Sequence, residues 1–176
     1  TSRSMLAEDM APNRLARAKL AALDLMRLSK SDRFGLIAFA GGAFLQCPLT
    51  LDEEAFRQNV NSLDTTIIPQ GGTALTEAIE TAQRTIAAEE GANHKVLIIF
   101  TDGEDHESGE LEAADTAAEK GLKIYTVGVG TPAGELLKIT DERGASSYVK
   151  DEDGNVVKSR LNEDLLRQIA TKGNGF

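Results

Sequence analysis

The sequence predicts a doubly wound α/β domain, in which a mostly parallel sheet carries helices on both faces. Apolar, strand-like segments alternate along the chain with segments of helical periodicity, which is the pattern that βαβ units produce. Two strand-like segments, 96–100 and 123–129, are apolar on both faces, as expected for strands covered on both sides. The 176 residues are 41% hydrophobic and 27% charged, which is typical of one globular domain with its own core.

Charge and residue counts exclude several classes of function. The formal net charge is -9, whereas binding to nucleic acid or to an anionic membrane surface needs a basic face. Cations are therefore the more natural small partners. The single cysteine, Cys47, excludes an intrachain disulfide, and we interpret it as a small core residue. With only His94 and His106 beside it, a Cys/His zinc site cannot be assembled. No apolar run of the sequence reaches the roughly 20 residues that cross a bilayer.

Local signals place the boundaries of the predicted elements. Gly41-Gly42 is a two-residue hairpin signal, so the strand that follows it returns antiparallel at the edge of the sheet. Asp52 and Asn162 each precede a helical pattern and are predicted as N-caps. The elements predicted in order are a helix at 12–28, strands at 33–40 and 44–50, helices at 51–63 and 75–86, a strand at 96–100, a helix at 109–120, a strand at 123–129 and a last helix after Asn162.

The C-terminal part of the sequence predicts one more hairpin, and both ends of the sequence indicate truncation. Asp153-Gly154 lies between two short strand-like segments, 147–150 and 156–159, and is a favourable turn sequence. Residues 1–4 have the composition of a loop, and residues 173–176 that of a turn entering a strand. We therefore expect residues 1–176 to be a single domain that is truncated at both ends.

Polar side chains follow the predicted strands or precede the predicted helices at three places. Ser2 and Ser4 lie in the first loop, Thr73 follows a Gly-Gly pair, and Asp102 directly follows the strand at 96–100. In an α/β sheet such junctions gather at one edge, so these oxygens can surround one point. Oxygen-only ligands suit Mg²⁺ or Mn²⁺. Simpler interpretations remain open, because Thr73 can cap a helix, Asp102 can belong to a turn, and the two serines can be a frayed end.

At these residues the sequence resembles the von Willebrand factor A domain, whose metal-ion-dependent adhesion site combines an Asp-x-Ser-x-Ser loop, a distant threonine and a later aspartate. Ser2 and Ser4 match the serines of the loop, Thr73 matches the threonine, and Asp102 matches the later aspartate. The resemblance covers essentially the whole chain, and the expected fold is Rossmann-like. Four segments are similar in particular to the bacterial Bat group, whose members are often called aerotolerance regulators. These segments are SRSMLAEDMAPNRL, FAGGAFLQCPLT, QGGT and TDGEDH.

The resemblance implies a non-enzymatic, metal-dependent protein-interaction module. Ser2, Ser4, Thr73 and Asp102 would hold Mg²⁺ (or Mn²⁺), directly or through water, and an acidic side chain of a protein partner would complete the metal shell. Bat proteins are membrane-anchored, so the parent protein is expected in the inner membrane with this domain on the periplasmic side. Other Bat-type proteins, tetratricopeptide proteins and an AAA+ ATPase system are the partners that the family implies.

The sequence also departs from the family pattern. The family's first aspartate would stand immediately before Thr1, at the end of the central first strand, and neither is present in this sequence. Either metal binding is weakened and the site is left empty, or another strand, for example from a second copy of the chain, fills the gap. Exposed sheet edges favour self-association of such a chain.

Two other functions are compatible with the same residues. A metal-assisted hydrolase would use Asp102, Asp105 and His106 around an activated water, although the sequence has no nucleophile elbow and no phosphate-binding loop with its lysine. A structural assembly domain would keep the fold with a vestigial metal site. Metal-dependent turnover distinguishes the first of these from an interaction module, and partner capture that survives EDTA distinguishes the second.

Overall fold

The computed structural model describes residues 2–65, 74–88, 94–104, 108–140, 146–150 and 153–176. A 3-10 turn at Arg3–Leu6 precedes the first helix. The helices are α1 (Arg14–Leu28), α2 (Glu53–Ser62), α3 (Leu75–Ala87), α4 (Glu110–Glu119) and α5 (Glu163–Lys172). The strands are β1 (Phe34–Phe39), β2 (Ala43–Thr50), β3 (Lys95–Thr101), β4 (Leu122–Gly128), β5 (Glu135–Leu136), β6 (Lys138–Thr140), β7 (Ser146–Tyr148) and β8 (Lys158–Ser159). None of the helices in these ranges is long and apolar enough to cross a membrane.

The two longest strand pairs confirm the predicted α/β class. β3 and β4 pair in parallel from Lys95 opposite Leu122 to Thr101 opposite Gly128, and α4 forms the crossover between them. β1 and β2 pair antiparallel around the Gly-Gly turn, as the sequence predicts. Within the described ranges no hydrogen-bonded ladder joins β1 to β3, so the four strands β1 to β4 form two separate pairs.

Helix ends follow the local capping chemistry that the sequence predicts. Asn13 accepts a hydrogen bond from the Ala16 amide at the start of α1. Asp52 accepts from two first-turn amides of α2, and Asn162 accepts from the Leu165 amide in α5. Each cap satisfies amide groups that have no partner within the helix. These contacts fix where α1, α2 and α5 begin.

Apolar side chains bury the helices against both strand pairs. The largest cluster joins α3, α4 and α5 to β3 and β4, and a second cluster joins α1 and α2 to β1. Cys47 is buried in β2, which confirms its interpretation as a core residue, and burial raises the pKa of its thiol. The residues of the largest cluster are Leu75, Ile79, Ala82, Ile99, Ala114, Ala117, Leu122, Ile124 and Ile169.

A wide apolar cavity lies between β1 and β3. It has a volume of about 720 Å³, and all of β1 and β3 lines it, together with side chains of α1 and α3. We call this cavity the interstrand slot. Val96, which lines the slot, is 46% exposed. The sequence predicts that β3 is covered on both sides, and this prediction is wrong at Val96. The reason is that, among the described residues, β3 is hydrogen-bonded to β4 along one edge only, and its other edge borders the slot.

The interstrand slot predicts that the chain self-associates as its concentration rises. Open, apolar sheet edges pair readily with another chain, and here a second copy would cover the slot. Light scattering after size-exclusion chromatography should therefore show a mass that increases with concentration. Val96→Asp places a charge in the slot and should weaken association, whereas Val127→Asp, on a half-exposed residue of β4 outside the slot, should not. A monodisperse monomer at every concentration would refute this expectation.

The predicted C-terminal hairpin is confirmed only in part. Among the described residues around Asp153-Gly154, one isolated antiparallel bridge joins Lys150 and Val156, and the Val157 amide donates to the Val149 carbonyl oxygen at 2.9 Å. β7 pairs instead with β6, and β8 pairs with β5, both antiparallel. The segment after β4 contains Pro and Gly and carries no strong strand pattern. It nevertheless contains β5 and β6, with which β8 and β7 pair. Position 159 is thereby fixed within the fold and not at an exposed hairpin end.

Candidate metal-binding site

Asp102 is the first residue after β3 and is 1% exposed. The sequence places it there because β3 ends at Thr101, whose hydroxyl accepts a hydrogen bond from the Gly103 amide. Gly103 has a φ of 73°, a conformation that glycine adopts without strain and that turns the chain away from the strand. Asp102 Oδ1 accepts a longer hydrogen bond, of 3.3 Å, from the Glu104 amide. The carboxylate is thus held at the carboxyl end of a parallel strand, where α/β folds bind ligands.

The two predicted serines lie close together in and before the 3-10 turn. Ser2 Oγ and Ser4 Oγ are 2.6 Å apart, and Ser4 is buried. Met5, in the same turn, packs with Leu15 and Val129, and Phe100 of β3 packs against this cluster. The serines are therefore carried at the end of β3 from which Asp102 emerges. Thr73, Asp105 and His106 lie outside the described residues.

The oxygen atoms present are compatible with Mg²⁺. Neighbouring ligands of an octahedral Mg²⁺ with bonds of about 2.0–2.1 Å are separated by roughly 3 Å, which is close to the separation of the two serine oxygens. A buried carboxylate adds the hard, anionic donor that this ion prefers. In the part of the chain that the structure describes, no group of three or more His, Cys, Asp and Glu side chains could hold a metal. The predicted ligand set has one carboxylate and three hydroxyls, so it does not meet this description. It stays a prediction.

The structure adds a buried arginine to this site. Arg14, the first residue of α1, is completely buried, and its guanidinium group donates to three other residues. Nε and Nη2 donate to the two carboxylate oxygens of Asp9 at 2.8 and 2.7 Å. Nη1 donates to Asp102 Oδ2 at 3.0 Å and to Ser159 Oγ at 2.5 Å, and Nη2 also donates to the Ser159 carbonyl oxygen at 3.3 Å. These five bonds equal the number of N–H donors of the side chain. We call Arg14, Asp9, Asp102 and Ser159 the arginine cluster.

The surroundings of the arginine cluster explain how a charged side chain is buried here. Asp9 also accepts from the amide and the hydroxyl of Thr131, at 2.9 and 3.0 Å. The hydrogen bond from Arg14 holds the pKa of Asp9 at about 2, well below its usual value, even though burial acts in the opposite direction. For Arg14, burial favours the neutral form, but the hydrogen bond and the charge of Asp9 outweigh it and the pKa is raised. Both groups are therefore charged at neutral pH.

Glycine allows the backbone to approach the guanidinium group. Gly130 has a φ of 131°, and a Cβ atom on this residue would lie 2.7 Å from Arg14 Cζ. Carbon atoms in ordinary contact are about 3.5–4.0 Å apart, so no other residue fits without displacing the arginine. The same glycine donates its amide to Met10 Sδ at 3.0 Å. The turn after β4 thus closes over the arginine cluster.

The segment between β8 and α5 is fastened to the backbone around Asp102. The Asn162 amide donates to the Asp102 carbonyl oxygen at 2.8 Å, and the Arg160 amide donates to Glu104 Oε1 at 2.7 Å. Ser159 Oγ lies 3.3 Å from Asp102 Oδ2. Main-chain and side-chain contacts therefore fix the position of the candidate ligand from two directions.

Sequence reasoning missed Arg14, Asp9 and Ser159 as parts of the site. One signal was available: an arginine at the first position of a helix is unfavourable for the helix dipole, which prefers acidic residues there, and the first turn of α1 has no acidic residue. Such a residue needs another reason to be in that place. Two of its partners could not be found from local sequence, because Asp102 and Ser159 are 88 and 145 residues away from it.

The sequence and the fold match a known family. Residues 1–104 match the model of the von Willebrand factor type A domain, and the chain belongs to this family. The chain is similar to BatB from Bacteroides thetaiotaomicron, with 41% identity and a TM-score of 0.93 over 99% of this chain and 83% of that one. It is similar to an aerotolerance-related membrane protein from Bacteroides fragilis as well, with 38% identity and a TM-score of 0.92 over 99% and 84% of the two chains. These findings confirm the resemblance to the Bat group.

More distant similarities are consistent with this assignment. A UPF0353 protein of Mycobacterium avium is 36% identical over 155 residues, which are 81% of this chain and 46% of that protein. The corresponding protein of Mycolicibacterium paratuberculosis is 33% identical over 81% of this chain and 45% of its own length. The chain thus spans less than half the length of these relatives. Manganese-loaded TRAP protein from Plasmodium vivax shares the fold, with a TM-score of 0.66 and 16% identity over 97% and 59% of the two chains.

Proposed function

We propose that this domain is a metal-dependent protein-interaction module in which Asp102 and the hydroxyls of Ser2, Ser4 and Thr73 hold Mg²⁺ or Mn²⁺. One observation carries the proposal: Asp102 is buried at the carboxyl end of β3, at the end of the sheet that also carries the paired serine hydroxyls. Membership of the von Willebrand factor A family and the similarity to BatB support the general function of a protein-interaction module. The choice of metal and of ligands is the specific part of the proposal.

The residues of the site perform distinct tasks in this proposal. A bound divalent cation supplies an electrophilic centre that an acidic side chain of a partner can occupy. Asp102 provides anionic attraction for the ion, while the neutral serine and threonine hydroxyls add oxygens without adding charge. A site with so little negative charge of its own leaves the ion able to attract a carboxylate from outside. Partner binding would then shift the populations of the surrounding loops and needs no chemical step.

The cellular setting of the proposal follows from the relatives. A similar Bacteroides fragilis protein is described as an aerotolerance-related membrane protein, which supports a membrane-anchored parent protein. The inner membrane, with this domain on its periplasmic side, is the specific part of this proposal. Its partner would be a protein that presents an acidic side chain. Other Bat-type proteins, tetratricopeptide proteins and an AAA+ ATPase system are the candidates that the group suggests.

Metal-dependent capture of a partner tests this function. The full-length protein should retain a membrane-derived partner in pull-downs with Mg²⁺ and release it in EDTA. Asp102→Asn should abolish retention, because the anionic ligand is lost while the size of the side chain is kept. Asp24→Asn, which changes a carboxylate that is 66% exposed on α1, is the matched control and should retain the partner. Saturation with metal at about 100 times its dissociation constant should also stabilise the fold by about 2.7 kcal/mol.

Two outcomes would favour the other functions. Mn²⁺-dependent phosphatase or esterase turnover that disappears in Asp102→Ala would support the hydrolase that uses Asp102, Asp105 and His106. Retention of a partner in both EDTA and Asp102→Asn would support a structural assembly domain whose metal site is vestigial. Either result would contradict a metal-dependent interaction.

A further inference from the structure

We propose that Arg14 is the resident counter-ion of Asp102 and that it lowers the affinity of the site for divalent cations. The inference rests on the proposed metal-binding function and adds to it a residue that sets how tightly the cation is held. Arg14 would not touch the metal. It would act through Asp102, whose Oδ2 it contacts at 3.0 Å.

The geometry gives Arg14 a strong influence on Asp102. Both side chains are buried, with side-chain exposures of 0% and 2%, so solvent screens their interaction only weakly. Arg14 and the Ser159 hydroxyl are both directed at Oδ2, whereas the described partner of Oδ1 is the Glu104 amide at 3.3 Å. A positive charge so close to a carboxylate both reduces its pull on a cation and repels the cation directly. Oδ1 therefore remains the oxygen through which Asp102 would bind a metal.

Asp9 moderates this effect. It forms a two-bond ion pair with the opposite edge of the guanidinium group, and its own side chain is 6% exposed. Its negative charge partly cancels the positive charge of Arg14 at the position of Asp102. Removing the charge of Arg14 should therefore raise the affinity for the cation, and removing the charge of Asp9 should lower it. A purely structural role of the ion pair would instead make both changes harmful in the same way.

Mn²⁺ binding to the full-length protein tests this inference. Titrations with Mn²⁺ alone, followed by calorimetry and by electron paramagnetic resonance, should show about tenfold tighter binding in Arg14→Met than in the parent protein. In Asp9→Asn, Arg14 keeps its charge without compensation, and binding should be several-fold weaker. Arg27→Met removes an exposed ion pair with Asp24 on α1 and is the matched control, with unchanged affinity expected.

The outcomes separate this inference from the function on which it rests. Opposite shifts in Arg14→Met and Asp9→Asn support a counter-ion role, and weaker binding in both overturns it. If Arg14→Met does not fold, Asp9→Asn still tests the inference, because unchanged or tighter binding in that variant overturns it. If the parent protein binds Mn²⁺ and every variant binds it with the same affinity, only the role of Arg14 is overturned. Absence of Mn²⁺ binding in the parent and all variants overturns both the metal site and this inference.

Discussion

Arg14→Met is expected to lower the free energy of unfolding by about 3–5 kcal/mol, because it leaves two buried carboxylates without their cation. Asp9 and Asp102 have side-chain exposures of 6% and 2%, so water cannot replace the lost hydrogen bonds fully. Methionine fills a comparable volume but donates none of the five hydrogen bonds. Since a domain of this kind is stable by only about 5–15 kcal/mol, the change is a large part of the total.

Chemical denaturation followed by circular dichroism measures this loss. Arg167→Met is the matched control, because it removes an arginine of α5 whose salt bridge to Glu163 is exposed at both ends. Such surface pairs contribute about 0–1 kcal/mol, so the control should unfold close to the parent protein. Equal effects of the two substitutions would mean that the buried pairing contributes no more than a surface ion pair.

Gly130→Ala is expected to destabilise the protein by about 3 kcal/mol or more. The new methyl carbon would lie 2.7–2.9 Å from three atoms of the Arg14 side chain. Overpacking of this kind costs about 1–3 kcal/mol, and the positive φ of the residue adds strain of about 1–3 kcal/mol. The arginine must move to make room, and the move loosens its contacts with Asp9 and Asp102.

Gly121→Ala separates these two contributions. Gly121 also has a positive φ, of 83°, but nothing lies within 4 Å of the position of its Cβ atom. This control should show the backbone strain alone, about 1–2 kcal/mol. Thermal and urea denaturation of both variants should give the larger loss for Gly130→Ala. A loss no greater than that of Gly121→Ala would show that the turn over Arg14 can move away without effect.

Much of the fold follows from local patterns in the sequence. The apolar run at 96–100 and the Gly41-Gly42 turn identify β3 and the β1–β2 hairpin, because period and turn chemistry act within a few residues. The caps Asp52 and Asn162 are correct for the same reason. The pairing around Asp153-Gly154 forms only as one bridge, because a good turn sequence does not exclude other partners. β7 and β8 pair instead with the poorly patterned segment 135–140.

The candidate site is predictable only in part. Asp102 is found because it ends a buried strand, and Ser2 and Ser4 because they match a family pattern. The contacts of Arg14 depend on how three distant segments pack, and no local rule specifies them. The incomplete burial of Val96 is also a tertiary effect, because it arises from the slot beside β3 and not from the residues of the strand.

The sequence separations within the arginine cluster have a consequence for biosynthesis. Arg14 is synthesised early, Asp102 follows 88 residues later, and Ser159 follows a further 57 residues after that. The cluster cannot be completed until nearly the whole domain has left the ribosome. Closing loops of this length also costs conformational entropy before the contacts form, which slows folding. Through most of its translation, the nascent chain therefore carries Arg14 with Asp9 as the only member of the cluster already beside it in sequence.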